Sequence, residues 1–212
     1  MYDNILEPQQ IVISGCSAGG YGAVTHAPYI MENYAGVPAA MIADSSHGVL
    51  PPSWGGLLTW GTLDNLPAFI PEMAAVTVDE YDTTLQIELS ASYFPDNQFA
   101  QFNSYLDGVQ IGFYGRILGQ ELSTEEEFVA LGSQWSAALL TNIRRLSMLE
   151  NFNNYTAGGF QHCVVNSDLF YAYDQNGVNF ADWFADVVER SASNVSCSIL
   201  AGECFVSPLE EN

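Results

Sequence analysis

Short apolar runs alternate with a helical pattern near the start of the chain. Residues 10–14 and 39–43 each have the length and composition of a buried strand, and residues 19–33 between them have the apolar spacing of a helix. A strand, a helix and a second strand in this order are typical of a parallel sheet covered by helices. The pattern therefore predicts an α/β fold, and a chain of 212 residues fits one such domain.

The alternation continues along the rest of the chain with longer helical segments. We predict a strand over 98–104, helices over 78–92, 125–149 and 180–192, and a last short strand or a cysteine loop over 195–200. Ser123 and Glu126 have the spacing of a capping box, which would start the long helix. Residues 45–71 are rich in Gly, Pro and Trp, and we expect this loop to cover a binding cleft.

The net charge of the chain excludes some classes of binding partner. It carries 25 acidic residues against four arginines and no lysine, for a net charge of −21. Such a surface would repel nucleic acids and anionic membrane surfaces. No apolar run approaches the length of a membrane span, and residues 1–10 lack the basic and apolar regions of a signal peptide. An acidic coat is tolerated best where salt screens it, which favours a saline or extracellular setting.

The segment GCSAGG stands between the first predicted strand and the first predicted helix. G-x-S-x-G in this position is the nucleophile elbow of α/β-hydrolases, a sharp turn that exposes the serine. Gly15, Gly19 and Gly20 allow the turn, Ser17 is the candidate nucleophile, and the backbone N–H of Ala18 is the candidate oxyanion donor. The alternative is a Gly-rich connection with a chance serine, and a base and an acid elsewhere in the chain would decide between the two.

A serine nucleophile needs a histidine as its base, and the chain has three. His26 lies in the first predicted helix beyond the serine, and we interpret it as structural. His47 lies in the loop after the second strand and is a candidate for the cleft. His162 follows a Gly-Gly pair far downstream, which fits the Ser–acid–His order of α/β-hydrolases. His162 is therefore the predicted base.

Three aspartates are candidates for the acid that orients this histidine. Asp44 ends the second strand, Asp96 precedes the third strand, and Asp107 follows it. A triad acid normally projects from the loop after a strand, where it reaches the histidine. This condition excludes Asp96 and leaves Asp44 and Asp107.

The four cysteines contain no C-x-x-C pair, so a zinc or redox motif is not expected and we predict no metal. Cys16 adjoins the candidate nucleophile and Cys163 adjoins the candidate base. Because the nucleophile and the base must come within hydrogen-bond reach, we predict a disulfide between these two neighbours. Cys197 and Cys204 are predicted to close a small disulfide loop, with two unpaired thiols as the alternative. Both bridges would suit an oxidising compartment and a secreted protein.

Three segments, GCSAGGYGA, FNSYLDGVQI and GGFQHC, resemble in this order three blocks of the pectin acetylesterase and Notum family of carbohydrate and lipid esterases. The resemblance spans residues 5–190, and the elbow block is its specific part. It implies an α/β-hydrolase fold, and ester hydrolysis without a metal or a cofactor. By the same resemblance Ser17 is the nucleophile, Asp107 in the D-x-x-Q block is the acid, and His162 in the H-C block is the base.

The resemblance also separates the two remaining aspartates. It favours Asp107 over Asp44 as the acid, and Gln110 completes the D-x-x-Q block beside the cleft. Asp44 matches a family position near the cleft, where it would hold a loop in place. The aromatic residues Trp54, Trp60, Tyr93 and Tyr105 are candidates for stacking on sugar rings, with packing in the core or lid as the alternative.

The substrate implied by the resemblance is an acyl ester, and no nucleic acid or membrane partner is expected. We expect removal of acetyl or other short acyl groups from a polysaccharide such as pectin, with a lipid or protein-linked acyl ester as the alternative. In this fold several strands and a Gly-rich oxyanion loop precede the elbow, so the sequence looks like the C-terminal two-thirds of such a domain, lacking its N-terminal strands. We therefore expect the 212-residue chain alone to hydrolyse esters more slowly than an extended form. A non-catalytic binding module or an inactive truncated product with the same fold are the alternatives from other classes.

Overall fold

The computed structural model of the chain describes residues 7–51 and 54–209. Its strands are β1 (Ile11–Cys16), β2 (Ala39–Asp44), β3 (Gln98–Ser104), β4 (Phe152–Ala157), β5 (Asp174–Gln175), β6 (Val178–Asn179) and β7 (Val195–Ser196). Its α-helices are α1 (Ala18–Asn33), α2 (Gly56–Thr59), α3 (Pro71–Ala74), α4 (Thr83–Tyr93), α5 (Gly108–Ile117), α6 (Glu125–Leu146), α7 (Leu169–Ala172) and α8 (Phe180–Glu189). Short 3₁₀ turns occur at Leu63–Asn65 and Glu203–Phe205.

Five of these strands form one parallel sheet. They lie side by side in the order β1-β2-β3-β4-β7, and every neighbouring pair is parallel. Strands β5 and β6 form a separate antiparallel hairpin. Helices connect the strands of the large sheet and cover it, so the predicted α/β-hydrolase type of fold, a mostly parallel sheet with flanking helices, is confirmed.

Both faces of this sheet are buried at its central strands β2 and β3. Successive residues of a strand point to opposite faces, so Met41 packs on one side with α1, α4 and α6, while its neighbour Ile42 packs on the other side with α8. The first core contains Trp135 and the second contains Trp183, and each of these large side chains is 1% exposed. Burial on both faces explains why β2 appears in the sequence as an apolar run without strict alternation.

The long helix α6 begins at Glu125 as predicted, but its capping box lies one residue later than predicted. The structure places the capping box at Thr124 and Glu127, rather than at Ser123 and Glu126. The hydroxyl of Thr124 accepts a hydrogen bond from the backbone N–H of Glu127 at 3.2 Å, and the Glu127 carboxylate accepts one from the backbone N–H of Thr124 at 3.0 Å. Both pairs satisfy the same S/T-x-x-E pattern, so the sequence alone did not separate them.

The start of α4 also differs from the prediction. The helix begins at Thr83 and not at residue 78, because the Asp82 carboxylate accepts a hydrogen bond from the backbone N–H of Leu85 at 2.6 Å. An aspartate that caps a helix in this way fixes its first turn. Thr77 belongs to a separate turn, which the Glu80 carboxylate closes by accepting a hydrogen bond from the Thr77 backbone.

Strand β1 lies at the edge of the described sheet. It pairs with β2 along its whole length, and within residues 7–51 and 54–209 no strand pairs with its other side. Val12 on this strand is 45% exposed, whereas every residue of β2 is buried. Among the described residues, none of the helices combines the length and the apolar character needed to cross a membrane.

Candidate active site

Ser17 lies on a sharp turn between β1 and α1. The strand ends at Cys16, the helix begins at Ala18, and Ser17 between them has φ 55° and ψ −122°. Residues other than glycine rarely adopt such a conformation, which costs roughly 1–3 kcal/mol and recurs at functional sites. A hydrogen bond of 2.9 Å from the Ser17 backbone N–H to the carbonyl of Asp44 holds the turn against β2.

Two of the three predicted elbow glycines are required by space. A Cβ on Gly15 would collide with the backbone of Gly19, and a Cβ on Gly20 would collide with the side chain of Ser46. At Gly19 itself a Cβ would meet no atom within 4 Å. The turn therefore depends on Gly15 and Gly20 for close packing, while Gly19 has room for a side chain.

His162 and Asp107 form a hydrogen-bonded pair. Nδ1 of His162 lies 2.8 Å from Oδ2 and 2.9 Å from Oδ1 of Asp107. Since the carboxylate can only accept, Nδ1 carries the proton, and Nε2 of the neutral ring is left as the basic nitrogen. Asp107 is fully buried, whereas the His162 side chain keeps 17% of its surface exposed. The His162 ring is thus accessible to solvent, and the buried Asp107 carboxylate fixes its orientation.

The backbone of α5 fixes the Asp107 carboxylate. Asp107 is the N-cap of this helix, and its Oδ1 accepts hydrogen bonds of 3.0 Å from the N–H groups of Val109 and Gln110. The side-chain amide of Gln110 donates to Oδ2 at 3.0 Å, and its oxygen accepts from the backbone N–H of His47 at 2.9 Å. The D-x-x-Q segment therefore combines a helix cap with a support for the acid.

The pKa of His162 is raised above its ordinary value of 6.5. Burial alone lowers the pKa of this imidazole, but the hydrogen bond that it donates to Asp107 and the charges of Asp107 and Asp44 outweigh that effect. A nearby carboxylate stabilises the protonated ring, which is the form that a general base reaches after it has taken a proton.

The loop that follows β4 carries His162, and we refer to residues 158–168 as the His162 loop. The end of β2 holds it: Oδ2 of Asp44 accepts hydrogen bonds from the N–H groups of Val164 and Val165, at 2.6 and 2.7 Å. The hydroxyl of Ser45 accepts from the N–H of Cys163 at 2.9 Å. Ser45 is a residue that the sequence analysis missed, although its position directly after Asp44 at the carboxyl end of a strand was a signal for it.

Two disulfides join the four cysteines. Cys16 is bonded to Cys163 with a Cα–Cα distance of 5.5 Å, so the bridge connects the residue before Ser17 to the residue after His162. Cys197 is bonded to Cys204 with a Cα–Cα distance of 5.1 Å. The first bridge brings the nucleophile turn and the His162 loop to the same edge of the sheet.

Ser17 and His162 line one cavity of about 430 Å³. Gln110 and Ala18 also line it, and Ala18 is the first residue of α1, so its N–H has no carbonyl partner within the helix. Most of the remaining wall is apolar or aromatic, and its members include Val24, Trp54, Leu57, Trp60, Phe113 and Trp135. The loop 45–71 supplies several of these residues, as expected for a loop that covers a cleft.

Neither Asp44 nor His47 lines this cavity: Asp44 holds the neighbouring His162 loop, as the resemblance implied, whereas His47 was expected to line the cleft and does not. Both side chains are buried behind its wall, at 0% and 1% exposure. Burial lowers the pKa of His47 to about 4, and its Nδ1 lies 2.9 Å from the side-chain oxygen of Gln101. His47 is therefore a neutral core histidine, because the polar network below the site leaves it no contact with solvent.

The other candidate residues of the sequence analysis fall into two groups, those that line the cavity and those that do not. His26 is exposed on α1 and does not line the cavity, and Asp96 is exposed before the amino end of β3. Among the aromatic residues, Trp54 and Trp60 line the cavity and contact each other edge to face. Tyr93 and Tyr105 instead pack against Phe94 and Phe205, away from the cavity lining.

The strand that ends in a sharp serine turn before a helix, within a mostly parallel sheet, defines an α/β-hydrolase fold. Two solved crystal forms of the Wnt deacylase Notum from Drosophila resemble the chain, with TM-scores of 0.60 and 0.62 and 13% sequence identity. The match covers 88% of this chain and 56% and 55% of the Notum chains, so the chain spans a little over half of their length. It confirms the Notum-like fold predicted from the three motifs. No family model and no curated protein sequence matches the chain.

Proposed function

We propose that this domain is a serine carboxylic-ester hydrolase with Ser17 as nucleophile, His162 as general base and Asp107 as the orienting acid. The observation that carries the proposal is the 2.8 Å contact between Nδ1 of His162 and the buried carboxylate of Asp107, beside the cavity that Ser17 lines. A strained serine turn, a base and an acid in this chain order are the parts that acyl transfer needs. The Notum-like fold supports the same class of reaction.

In the proposed reaction, Ser17 Oγ attacks the ester carbonyl while Nε2 of His162 takes its proton. Asp107 keeps the other proton on Nδ1 and stabilises the imidazolium that forms. The imidazolium then protonates the leaving alcohol, an acyl-enzyme remains on Ser17, and water activated by His162 releases the acid. The negative charge on the carbonyl oxygen develops near the first turn of α1, where the free N–H of Ala18 can donate to it.

The substrate proposal concerns the acyl group and the alcohol. Deacetylation of a polysaccharide such as pectin is the reaction implied by the motifs, and the exposed Trp60 at the cavity is suited to stacking on a sugar ring. The size and apolar wall of the cavity favour a second candidate, an acyl chain longer than acetyl. Its volume of about 430 Å³ falls within the range of about 300–1,000 Å³ that proteins use for drug-sized ligands. Notum, which shares the fold, is described as a deacylase of Wnt.

The two disulfides bear on the compartment in which the protein works. Disulfides persist in oxidising compartments, and this chain has two, so we propose that the domain works outside the cytosol in a secreted protein. The net charge of −21 makes an uncharged substrate more favourable than a strongly anionic one unless salt screens the repulsion.

The nucleophile is tested by covalent labelling with a fluorophosphonate and by hydrolysis of p-nitrophenyl esters from acetate to palmitate. We expect the label on Ser17 by peptide mass spectrometry, and hydrolysis that Ser17→Ala reduces by at least about 10³-fold. Ser14→Ala is the matched control, since Ser14 is an exposed serine on the same strand and should leave labelling unchanged. A label on another residue, or equal hydrolysis by Ser17→Ala, would contradict the proposal, and the chain-length series decides between the two acyl candidates.

The pH dependence of hydrolysis gives a separate prediction. Only neutral His162 can accept the serine proton, so kcat/KM should fall on the acid side with a midpoint above pH 6.5, because the pKa of this histidine is raised. The measurement is kcat/KM for p-nitrophenyl acetate between about pH 5 and 9. His26→Gln is the control, as His26 is exposed away from the cavity and should leave the profile unchanged. A midpoint at or below pH 6.5 would argue against His162 as the base.

A further inference from the structure

The Asp44 carboxylate is buried and accepts three hydrogen bonds. Its Oδ2 accepts from the backbone N–H groups of Val164 and Val165, and its Oδ1 accepts from the hydroxyl of Ser45 at 2.8 Å. Its exposure is 0%, and among the described residues no cationic group forms an ion pair with it. A buried carboxylate without a cation is costly unless hydrogen bonds replace the water it has lost. Here the replacement comes mainly from one segment, the His162 loop.

The neighbouring Ser45 extends this set of contacts. Its hydroxyl donates to Asp44 and accepts from the N–H of Cys163, so the three consecutive N–H groups after His162 all point at the end of β2. Cys163 has φ 68°, a left-handed conformation that costs energy outside glycine. The loop therefore makes its turn directly after His162 in a strained form, and Asp44 and Ser45 hold it there.

The main chain of Asp44 contacts the other half of the site. Its carbonyl accepts the hydrogen bond from the Ser17 N–H at 2.9 Å, and a Cβ on Gly20 in the first turn of α1 would lie only 3.0 Å from the same carbonyl. One residue thus holds the serine turn with its backbone and the His162 loop with its side chain. Strand β2, which is buried along its whole length, supplies a rigid base for both contacts.

We propose that Asp44 is a positioning residue that aligns the His162 loop with the Ser17 turn, and that Ser45 assists it. This inference rests on the esterase function proposed above, and it specifies the loop that Asp44 holds and the effect of that contact on the alignment of the site. Asp44 acts through the backbone of residues 163–165 and takes no part in the proton transfer. The disulfide between Cys16 and Cys163 joins the same two segments through their side chains, whereas Asp44 holds the loop backbone itself.

The charge of Asp44 gives this role a signature that packing alone would not give. Among the described residues, the carboxylates of Asp107 and Asp44 both raise the pKa of the His162 ring. Asp44→Asn keeps the shape and one acceptor oxygen but removes the charge, so the pKa of His162 should fall. A variant that only loosened the fold would not produce a defined shift in one histidine.

The experiment compares Asp44→Asn, Ser45→Ala and the control Asp96→Asn, which removes an exposed carboxylate from the opposite end of β3. We expect Asp44→Asn to lower kcat for p-nitrophenyl acetate about tenfold with KM within about twofold, because a small misplacement of the base slows the chemical step more than binding. Ser45→Ala should have a smaller effect in the same direction, and Asp96→Asn none. In a Cys16→Ser/Cys163→Ser background the loss from Asp44→Asn should exceed tenfold, since the second tether is gone.

The pKa of His162 is measured by NMR titration of the histidine side chains. With only three histidines in the chain, His162→Ala assigns the resonance, and the measurement needs no substrate. A lower His162 pKa in Asp44→Asn, together with the kcat effect, supports the proposal. Unchanged kcat in both backgrounds overturns it, as does an unchanged pKa. If the wild type hydrolyses no ester, the titration still tests Asp44, so failure of the proposed function is distinguished from failure of this inference.

Discussion

Asp107→Asn should reduce kcat for ester hydrolysis by about 10⁴-fold while leaving the fold in place. The asparagine amide would present N–H to Nδ1 of His162, so the ring would keep its proton on Nε2 and lose the ability to accept the serine proton. The helix cap would survive, because asparagine caps helices about as well as aspartate and its oxygen can still accept from Val109 and Gln110.

The measurement for this prediction is steady-state hydrolysis of p-nitrophenyl acetate together with thermal unfolding of the variant. Asp44→Asn serves as the comparison, since both residues are buried aspartates at the carboxyl ends of neighbouring strands. We expect a loss about a thousandfold greater for Asp107→Asn than for Asp44→Asn. The reverse order, with near-normal rates in Asp107→Asn, would show that the acid has been assigned to the wrong strand.

Removal of the Cys16–Cys163 disulfide should lower the free energy of unfolding by about 5 kcal/mol. The bridge spans 147 positions, and a cross-link that closes a long loop restricts the unfolded chain more than a short one. The Cys197–Cys204 bridge spans 7 positions, and its removal should cost about 2 kcal/mol. The two Cys→Ser double variants are matched controls for each other.

Urea unfolding of both variants and of the wild type, under non-reducing conditions, measures the difference. The urea concentration at the unfolding midpoint should be highest for the wild type, lower for Cys197→Ser/Cys204→Ser and lowest for Cys16→Ser/Cys163→Ser. An equal loss in the two variants, or a larger loss from the short bridge, would contradict the dependence on loop length. Hydrolysis by the folded Cys16→Ser/Cys163→Ser protein should be reduced but present, because Asp44 still holds the His162 loop.

The parts of the site that local sequence determines were predictable from the residues. The serine turn needs a strand, small residues and a helix in one short segment, and all three are visible in GCSAGG and its flanks. The sequence did not reveal that the side chain of Ser46 lies against Gly20, because these two residues come together only through the pairing of β1 with β2. The same limit explains why Gly19 was grouped with Gly15 and Gly20.

The local sequence around Asp44 and Asp107 does not show which of the two is the acid that contacts His162. Both aspartates follow a strand, and only the resemblance to known esterases separated them. The structure shows the physical difference: one carboxylate faces the imidazole ring of His162, and the other faces the backbone N–H groups that follow it. A difference of this kind depends on the path of the His162 loop, which no spacing in the sequence reports.

The sequence analysis did not predict strand β4 or helix α5, because both contain residues that are uncommon in such elements. Strand β4 contains Asn153 and Asn154, yet Asn154 is buried and its amide donates to the carbonyl of Val195 at 2.9 Å. Helix α5 begins at a glycine directly after Asp107, in a segment for which the sequence analysis predicted no helix. In both cases side-chain hydrogen bonds to the backbone compensated for residues that disfavour the element.

The order of the sheet has a consequence for how the protein is made. Because β1, β2, β3, β4 and β7 lie side by side in the order in which they are synthesised, each new strand can add to the free side of the one before it as the chain leaves the ribosome. The serine turn can therefore form before His162, the proposed base, reaches it, because His162 arrives only when the segment after β4 closes onto the end of β2. The three residues of the proposed triad therefore come together only in a late step of assembly.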